Sequence, residues 1–171
     1  MCVIYKGRIM TIRTLSVASV ASLLALVLST SPALAKDDPK IAAEIIAITK
    51  AQWAAEMASK SVADQLASAD DDYTEINGNF PVRIDGKALN VRFNEASMKD
   101  GEKTLAADMA NAKVQVYGDT AILSYNYVGV AQTKDGKTKS RFGKSTRVYA
   151  KLGTSWKLVH AHFSPVTGAK D

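Results

Sequence analysis

The C-terminal half of this chain consists of four strand-like segments with only short turns between them. The segments are rich in Val, Tyr, Thr and Ile, which favour strands, and they span residues 112–117, 120–132, 138–152 and 155–163. Gly118-Asp119, residues 134–137 and Gly153-Thr154 separate the segments, and all three have the composition of hairpin turns. The pattern therefore predicts a four-stranded antiparallel meander, and the rest of the chain must pack against that sheet.

A long helical pattern precedes these strands. Asp38 followed by Pro39 is a typical helix start, because the carboxylate can cap the helix and proline fits its first turn. Residues 40–59 are Ala-rich and contain no Gly or Pro. One stripe of this segment carries Ile41, Ile45, Ile48 and Gln52. The breadth of the apolar face indicates a helix that packs on a sheet.

Two shorter helices and two short strands are predicted between the long helix and the meander. Ser61 with Asp64 resembles a capping box for a helix that ends near Ala69, and a third helix is predicted from residue 87 to about residue 98. Short strands are predicted at residues 73–76 and 82–85, on either side of a turn. Helices followed by strands indicate an α+β domain, with the helices on one face of a curved sheet.

The first 35 residues have the features of a secretory signal peptide. Lys6, Arg8 and Arg13 precede an apolar run over residues 15–28, and Ala33-Leu34-Ala35 resembles a cleavage site. The run is too short, and too rich in Ser and Ala, for a comfortable membrane span, although a retained anchor is the alternative. We predict cleavage after Ala35, a single domain over residues 36–171 and a periplasmic or secreted location.

Removal of this leader changes what the composition excludes. The formal net charge of the whole chain is +5, but three basic and no acidic residues lie before Lys36, which leaves 19 minus 17, or +2. The basic character is therefore no argument for a nucleic-acid partner. Cys2 also lies in the leader, so the mature chain needs no disulfide and cannot hold a Cys-ligated zinc ion. We predict no nucleic acid, no cofactor and no stable membrane span after cleavage; Met10 is an alternative start.

Alternation along a strand assigns each side chain to one face of the sheet. Strict alternation over residues 155–163 groups Trp156, Leu158, His160 and His162 on one face. The helices can cover one face of the sheet, and this face is predicted to be the other, outer one. Because Trp156 and Leu158 are too apolar to remain bare, it is predicted to pair with a second copy of the chain. Trp156, His160 and His162 are therefore the predicted interface residues.

The two histidines and one acidic run are the candidates for metal binding in this sequence. The spacing of His160 and His162 suits zinc, but no other His and no Cys of the mature chain is available as a third ligand. Asp70-Asp71-Asp72 lacks the alternation, central Gly and distal Glu of an EF-hand loop, so a solvated turn is predicted there. We predict no metal site, and two imidazoles at an interface would make it sensitive to pH.

Residues 116–128 (VYGDTAILSYNYV) and 145–164 (STRVYAKLGTSWKLVHAHFS) resemble the C-terminal sheet of the nuclear transport factor 2-like superfamily. They are similar to SnoaL-like proteins and to the association (hub) domain of calcium/calmodulin-dependent protein kinase II. The shared pattern is a Gly-Asp turn, a T-R-V-aromatic strand, a second turn and W-x-x-V-H-x-H. Trp53 and the Asp85-Gly86 turn also fall in register, so the resemblance covers nearly the whole mature chain.

The resemblance implies a cystatin-like cone, in which a curved sheet encloses a pocket beneath one long and two shorter helices. It also implies dimers or larger rings that form through the outer face of the sheet. In the hub domain several arginines line the pocket and bind small carboxylates. One of those positions corresponds to Arg147, whereas two others correspond to Tyr127 and Phe163. The loss of two positive charges implies a more aromatic and less polar ligand.

Arg147 has two interpretations that the sequence leaves open. It either anchors an anionic or carbonyl group of a ligand, or it forms an internal ion pair, with Glu75 as the candidate partner, because an unpaired buried charge is unfavourable. Side chains with an aromatic body and a polar tip suit a small organic ligand, but each also suits ordinary core packing. The predicted ligand-binding residues are Arg147, Tyr127, Ser145, Tyr149, Phe163, Tyr125 and Trp53.

The function predicted from the sequence is binding of a small organic ligand by an exported homo-oligomer, and a carboxylate on the ligand is compatible with Arg147. Two alternatives remain. The first is an enzyme of the isomerase, cyclase or hydratase kind, for which Glu75 is the candidate catalytic residue. The second is an oligomerisation module with a vestigial pocket. No Ser-His-Asp set, phosphate loop or paired-carboxylate motif supports catalysis.

Overall fold

The computed structural model describes residues 37–98 and 102–166, so the predicted signal peptide and its cleavage site lie outside the described residues. Helix α1 (Pro39–Met57) begins where the sequence predicts it. The Oδ1 atom of Asp38 accepts hydrogen bonds from the backbone N–H groups of Lys40 and Ile41, each at 3.0 Å. Asp38 therefore caps the helix, and the helix then runs without interruption for 19 residues.

The two other helices and the first two strands are shorter. Helix α2 (Val62–Gln65) has the predicted cap, in which the Ser61 hydroxyl accepts from the N–H of Asp64 at 3.1 Å. It ends earlier than predicted, because strand β1 (Ala69–Ile76) already starts at Ala69, which is buried in the core. Strand β2 (Ile84–Asp85) precedes helix α3 (Lys87–Met98), whose bounds match the prediction.

The acidic run at residues 70–72 lies in β1 rather than in a turn, so that prediction is wrong. Strand β1 pairs with the last strand at Ala69 and again from Thr74 onward, and the register shifts in between. Asp71 and Asp72 are exposed within this irregular stretch. The strand therefore keeps its carboxylates in water by leaving the regular pairing where they occur.

Four long strands complete the sheet: β3 (Lys103–Tyr117), β4 (Thr120–Gln132), β5 (Thr138–Leu152) and β6 (Ser155–Pro165). The bounds of β4 and β5 match the prediction, and β6 extends two residues further. Strand β3 starts nine residues before the predicted position. The added stretch is rich in Ala, Leu and Met, which favour helices, so here pairing with β4 overrides the local preference.

The six strands form one sheet in the order β2-β1-β6-β5-β4-β3. Strands β3 to β6 pair antiparallel in sequence order, which confirms the predicted meander. Strand β1 joins the free edge of β6 in the parallel orientation, and β2 pairs antiparallel with β1. The predicted α+β class is confirmed, and this order places β1 beside the last strand of the chain.

A β-bulge in β6 overturns part of the predicted face assignment. Val148 of β5 pairs with His160, but the adjacent Tyr149 pairs with Leu158, so Val159 is an extra residue in β6. Side chains therefore change face at this position. Trp156 is only 4% exposed and packs in the core together with Leu158. The prediction that Trp156 lies on the outer face as an interface residue is wrong, because strict alternation cannot register an added residue.

The core lies between α1 and the inner face of the sheet. Ile45, Thr49 and Trp53 are the buried residues of α1, and Ile45 and Trp53 belong to one cluster with apolar residues of β3 to β6. The Thr49 and Tyr149 hydroxyls lie 2.7 Å apart and hydrogen-bond across this contact. Helix α1 thereby covers the central part of β5, where Arg147 lies.

Candidate functional site

Arg147 is a buried cation at the centre of the inner face, and only 3% of its surface is exposed. Its Nε atom donates to the hydroxyl of Tyr125 at 3.0 Å, and its Nη1 atom donates to Oε1 of Gln52 at 2.6 Å. The guanidinium carbon also lies 5.3 Å from the centre of the Phe163 ring. These partners are neutral, so they orient the guanidinium group without neutralising its charge.

Glu75 is also buried, but it does not neutralise Arg147. Among the residues that the structure describes, the ion pairs do not include one between these two side chains. Glu75 instead accepts hydrogen bonds from the Tyr73 hydroxyl, at 2.7 Å, and from the side-chain amide of Asn77. The interpretation of Arg147 as half of an internal pair with Glu75 is therefore wrong.

Burial and neighbouring charge keep two tyrosines of this region protonated. Burial, reinforced by the adjacent Glu75 carboxylate, raises the pKa of Tyr73 far above its ordinary value. Burial raises the pKa of Tyr127 to about 12, with a further contribution from Glu56. Both phenols are therefore neutral hydrogen-bond donors throughout the physiological range of pH.

The structure brings some of the predicted ligand-binding residues together around Arg147 and uses others for packing. Tyr125 and Phe163 contact the guanidinium group directly. Ser145 lies two residues before Arg147 on β5, and its buried Oγ atom has no hydrogen-bond partner in the described part of the chain. A buried hydroxyl without a partner is unfavourable, so the Ser145 hydroxyl is a polar group near Arg147 whose hydrogen-bonding capacity is unused.

Trp53, Tyr127 and Tyr149 lie in the same region, and no hydrogen bond joins any of them to Arg147 within the described residues. The Trp53 ring meets the rings of Tyr125 and Tyr127 edge to face, with 5.6 Å between centroids in each pair. The Tyr149 hydroxyl is already hydrogen-bonded to Thr49. These three residues therefore build the wall that holds the polar group in place.

Sequence reasoning missed Gln52, although it contacts Arg147 directly. Gln52 lies on the stripe of α1 that otherwise carries Ile41, Ile45 and Ile48. A polar residue on an apolar stripe is the signal by which Gln52 could have been found. Its amide oxygen accepts from the guanidinium group as one oxygen of a carboxylate would. Gln52 therefore marks the position at which Arg147 receives an acceptor.

The two histidines lie on the outer face, on the opposite side of the sheet from Arg147. The Nδ1 atom of His160 is 2.8 Å from the Thr74 hydroxyl, whereas His162 is exposed with Nε2 3.3 Å from the hydroxyl of Ser164. Burial, the adjacent His162 and Arg83 lower the pKa of His160. The structure supplies no third metal-ligating side chain near them, since residues 37–98 and 102–166 contain no cluster of three such groups.

Two surface depressions occur near these elements, and Arg147 lines neither of them. The first, of about 290 Å³, lies along the outer face, where Lys144, Thr146 and His162 contribute to its walls. The second, of about 470 Å³, lies between β1 and α3 and includes Asp71, Lys87 and Val91. Gln52, Tyr125 and Phe163 contact the guanidinium group, and Arg147 is almost fully shielded from solvent.

No helix within the described residues is long and apolar enough to cross a membrane.

A search of curated proteins found no significant match. Solved structures show the same fold, and three of them illustrate its range. A protein of unknown function with a nuclear transport factor 2-like fold from Pseudomonas putida has a TM-score of 0.64 at 17% identity, and the match covers 78% of this chain and 99% of that one.

The two other structures are an association domain of calcium/calmodulin-dependent protein kinase II and a hub homology domain of that kinase. The association domain from Caenorhabditis elegans has a TM-score of 0.60 at 20% identity and covers 74% of this chain and 96% of its own. The hub homology domain from Chlamydomonas reinhardtii has a TM-score of 0.62 at 21% identity and covers 74% and 99%.

The family is established by the sequence rather than by these structural similarities, which show the fold alone at such low identity. The sequence model of the calcium/calmodulin dependent protein kinase II association domain matches residues 41–167. This range includes α1 with Gln52 and the whole sheet with Arg147. The chain belongs to the calcium/calmodulin dependent protein kinase II association domain family.

Proposed function

We propose that this protein binds a small organic carboxylate at Arg147, between α1 and the inner face of the sheet. One observation supports the proposal: Arg147 is a buried cation whose hydrogen-bond partners, among residues 37–98 and 102–166, are all neutral. A buried charge without a counterion is strongly unfavourable, and a bound carboxylate would remove that penalty. Tyr125 and Phe163 would contact the apolar part of the ligand. We further propose, on the leader over residues 1–35, that binding takes place outside the cytoplasm.

The ligand enters this site by replacing Gln52. Its amide oxygen already accepts from Nη1 of Arg147, and a carboxylate forms the same contact with a full negative charge and in a bidentate geometry. Because the carboxylate neutralises the buried guanidinium group and the amide of Gln52 does not, the exchange favours the ligand. The unpartnered hydroxyl of Ser145 offers a further donor on the same face.

The test is the substitution Gln52→Glu, which supplies the missing carboxylate from within the chain. We expect the free energy of unfolding to rise by about 1 kcal/mol, since the new carboxylate neutralises the buried guanidinium group, whereas the amide of Gln52 only accepts its hydrogen bond. Binding of short alkanoates and of phenylacetate, measured by calorimetry at fixed ionic strength, should weaken at least tenfold. Arg147→Met should abolish the binding.

Gln115→Glu is the matched control, because this substitution introduces the same negative charge on β3, two strands away from Arg147. It should leave carboxylate binding unchanged. If Gln52→Glu binds carboxylates as well as the unmodified protein does, the proposed site is wrong.

A second function, self-association through the outer face of the sheet, is supported by exposed apolar residues there. Val128 and Phe142 are opposite each other on β4 and β5 and are 39% and 43% exposed, and Val130 continues the patch. Such a patch is typical of an interaction surface. We infer that two copies pair through it, as the name of the family suggests, with His160 and His162 on the same face.

Sedimentation analysis tests this second function. Phe142→Glu should convert an oligomer into a monomer, because a buried unpaired carboxylate at the centre of the patch is unfavourable. Leu152→Glu, at the end of the same strand and 48% exposed, is the matched control and should leave the oligomer intact. A monomeric unmodified protein at high concentration would refute the inference.

A further inference from the structure

Glu75 and Arg147 are two buried charges of opposite sign in one row of the inner face. Glu75 of β1 pairs with Ala161 of β6, and Ala161 pairs with Arg147 of β5. Two strand spacings therefore separate the backbones of the two charged residues, or about 10 Å. The row has a negative group at one end and a positive group at the other.

The residue between the two charges is small. Ala161 is fully buried and contributes only a methyl group to the row. A larger side chain at this position would project between Glu75 and Arg147. The neighbouring row carries polar groups as well, since Asn77 donates to Glu75 and Ser145 has an unpartnered hydroxyl.

Within the described residues, each charge lacks a counterion for the same reason. Arg147 is oriented toward Gln52 and Tyr125, on the side of α1 and β4. Glu75 is 6% exposed and is held by Tyr73 and Asn77, on its own strand or directly after it. Because both groups are fixed by neutral partners, they remain apart and neither removes the other's unfavourable burial.

We propose that the ligand of this protein is a zwitterion of the amino-acid class, whose carboxylate binds Arg147 and whose ammonium group binds Glu75. This inference rests on the proposed function, since it assigns the second end of the same ligand. A molecule with both charges neutralises both buried residues in one binding event, whereas a plain carboxylate leaves Glu75 without a counterion. The apolar chain of the ligand lies over Ala161 and beside Phe163.

The experiment compares matched ligands on the unmodified protein. Straight-chain alkanoates with two to six carbon atoms are each paired with the amino acid that carries a terminal ammonium group on the same chain. We expect the amino acid of the best-fitting length to bind at least tenfold more tightly than its partner acid. Calorimetry at fixed pH and ionic strength measures both constants.

Two variants assign that advantage to a residue. Glu75→Gln keeps an acceptor for Tyr73 and should abolish the advantage of the amino acid while plain acids still bind. Asp72→Asn removes an exposed charge from the same strand and should change neither constant. Thermal unfolding shows whether each variant is folded, and the comparison on the unmodified protein needs no variant.

The outcomes separate this inference from the function on which it rests. If plain acids bind at Arg147 and the amino acids bind no more tightly, the zwitterion is wrong and the carboxylate site stands. If neither class binds, both proposals fail. If Glu75→Gln retains the full advantage of the amino acid, another group recognises the ammonium and the role of Glu75 is refuted.

Discussion

Deletion of Val159 tests the bulge that sorts the C-terminal strand into inward and outward residues. Removal of this one residue would leave Leu158 opposite Tyr149 and His160 opposite Val148, as they are now, but in a regular ladder. No other side chain would change face. We therefore expect the free energy of unfolding to fall by no more than about 2 kcal/mol, the burial of one valine side chain.

Deletion of Lys157, two residues earlier, is the matched perturbation, and it should be far more damaging. With Leu158 held in the core, Trp156 would move to the outer face, where it would lose nearly all of its burial. An aromatic side chain buries about 200 Å², which at 25 cal/mol per Å² corresponds to about 5 kcal/mol. That loss is comparable to the whole stability of many domains.

Urea unfolding followed by tryptophan fluorescence measures both effects. The chain contains two tryptophans, Trp53 and Trp156, and exposure of Trp156 should shift the emission of the folded protein to longer wavelength. The deletion of Val159 should leave that emission unchanged. If the two deletions destabilise the protein equally, the bulge is misplaced and strict alternation along β6 describes the strand better.

Two further predictions concern close packing and pH. A methyl group added at Gly129 would overlap the Tyr127 hydroxyl, whereas one at Gly143 meets its nearest neighbour at 3.5 Å. Urea unfolding should therefore show that Gly129→Ala lowers the free energy of unfolding by about 1–3 kcal/mol, while Gly143→Ala changes it little. Equal stabilities of the two variants would contradict this prediction. Burial lowers the pKa of His160, so the unfolded chain binds the proton more readily and the free energy of unfolding should fall as the pH drops below about 6.5. His160→Asn should reduce that fall between pH 7.5 and 5.5, and an unaltered pH profile would exclude His160 as its source.

The parts of the fold that follow from local chemistry could be predicted from the sequence. The cap at Asp38 fixes the start of α1, and the turns at Gly118 and Gly153 fix where β3 leads into β4 and where β5 leads into β6, because each depends on a few neighbouring residues. The first half of β3 could not be predicted in this way. Its residues favour helix, and only its pairing with β4 makes it a strand.

The candidate site shows the same division. Arg147 was identified from its position on β5 and from the resemblance, and the sequence also supplied Tyr125 and Phe163 as neighbours. The sequence left Glu75 or a ligand as the partner of Arg147, and Gln52 of α1 could be recognised as its neighbour only from the three-dimensional packing. The prediction that His160 faces outward is correct. The same prediction for Trp156 is wrong, because the sequence does not reveal the bulge at Val159.

The position of β1 has a consequence for how the chain folds. This strand lies between β2 and β6, so one of its two neighbours is the last strand to be synthesised. Local hairpins close quickly, whereas contacts between residues far apart in sequence form slowly. The meander from β3 to β6 can assemble first, while Glu75 must wait about 85 residues for Ala161 to arrive. A nascent chain stalled before β6 would therefore hold Arg147 on a formed hairpin and Glu75 on a strand with only the two-residue β2 beside it. The inner row that carries these two separate charges would be the last feature of the domain to be completed.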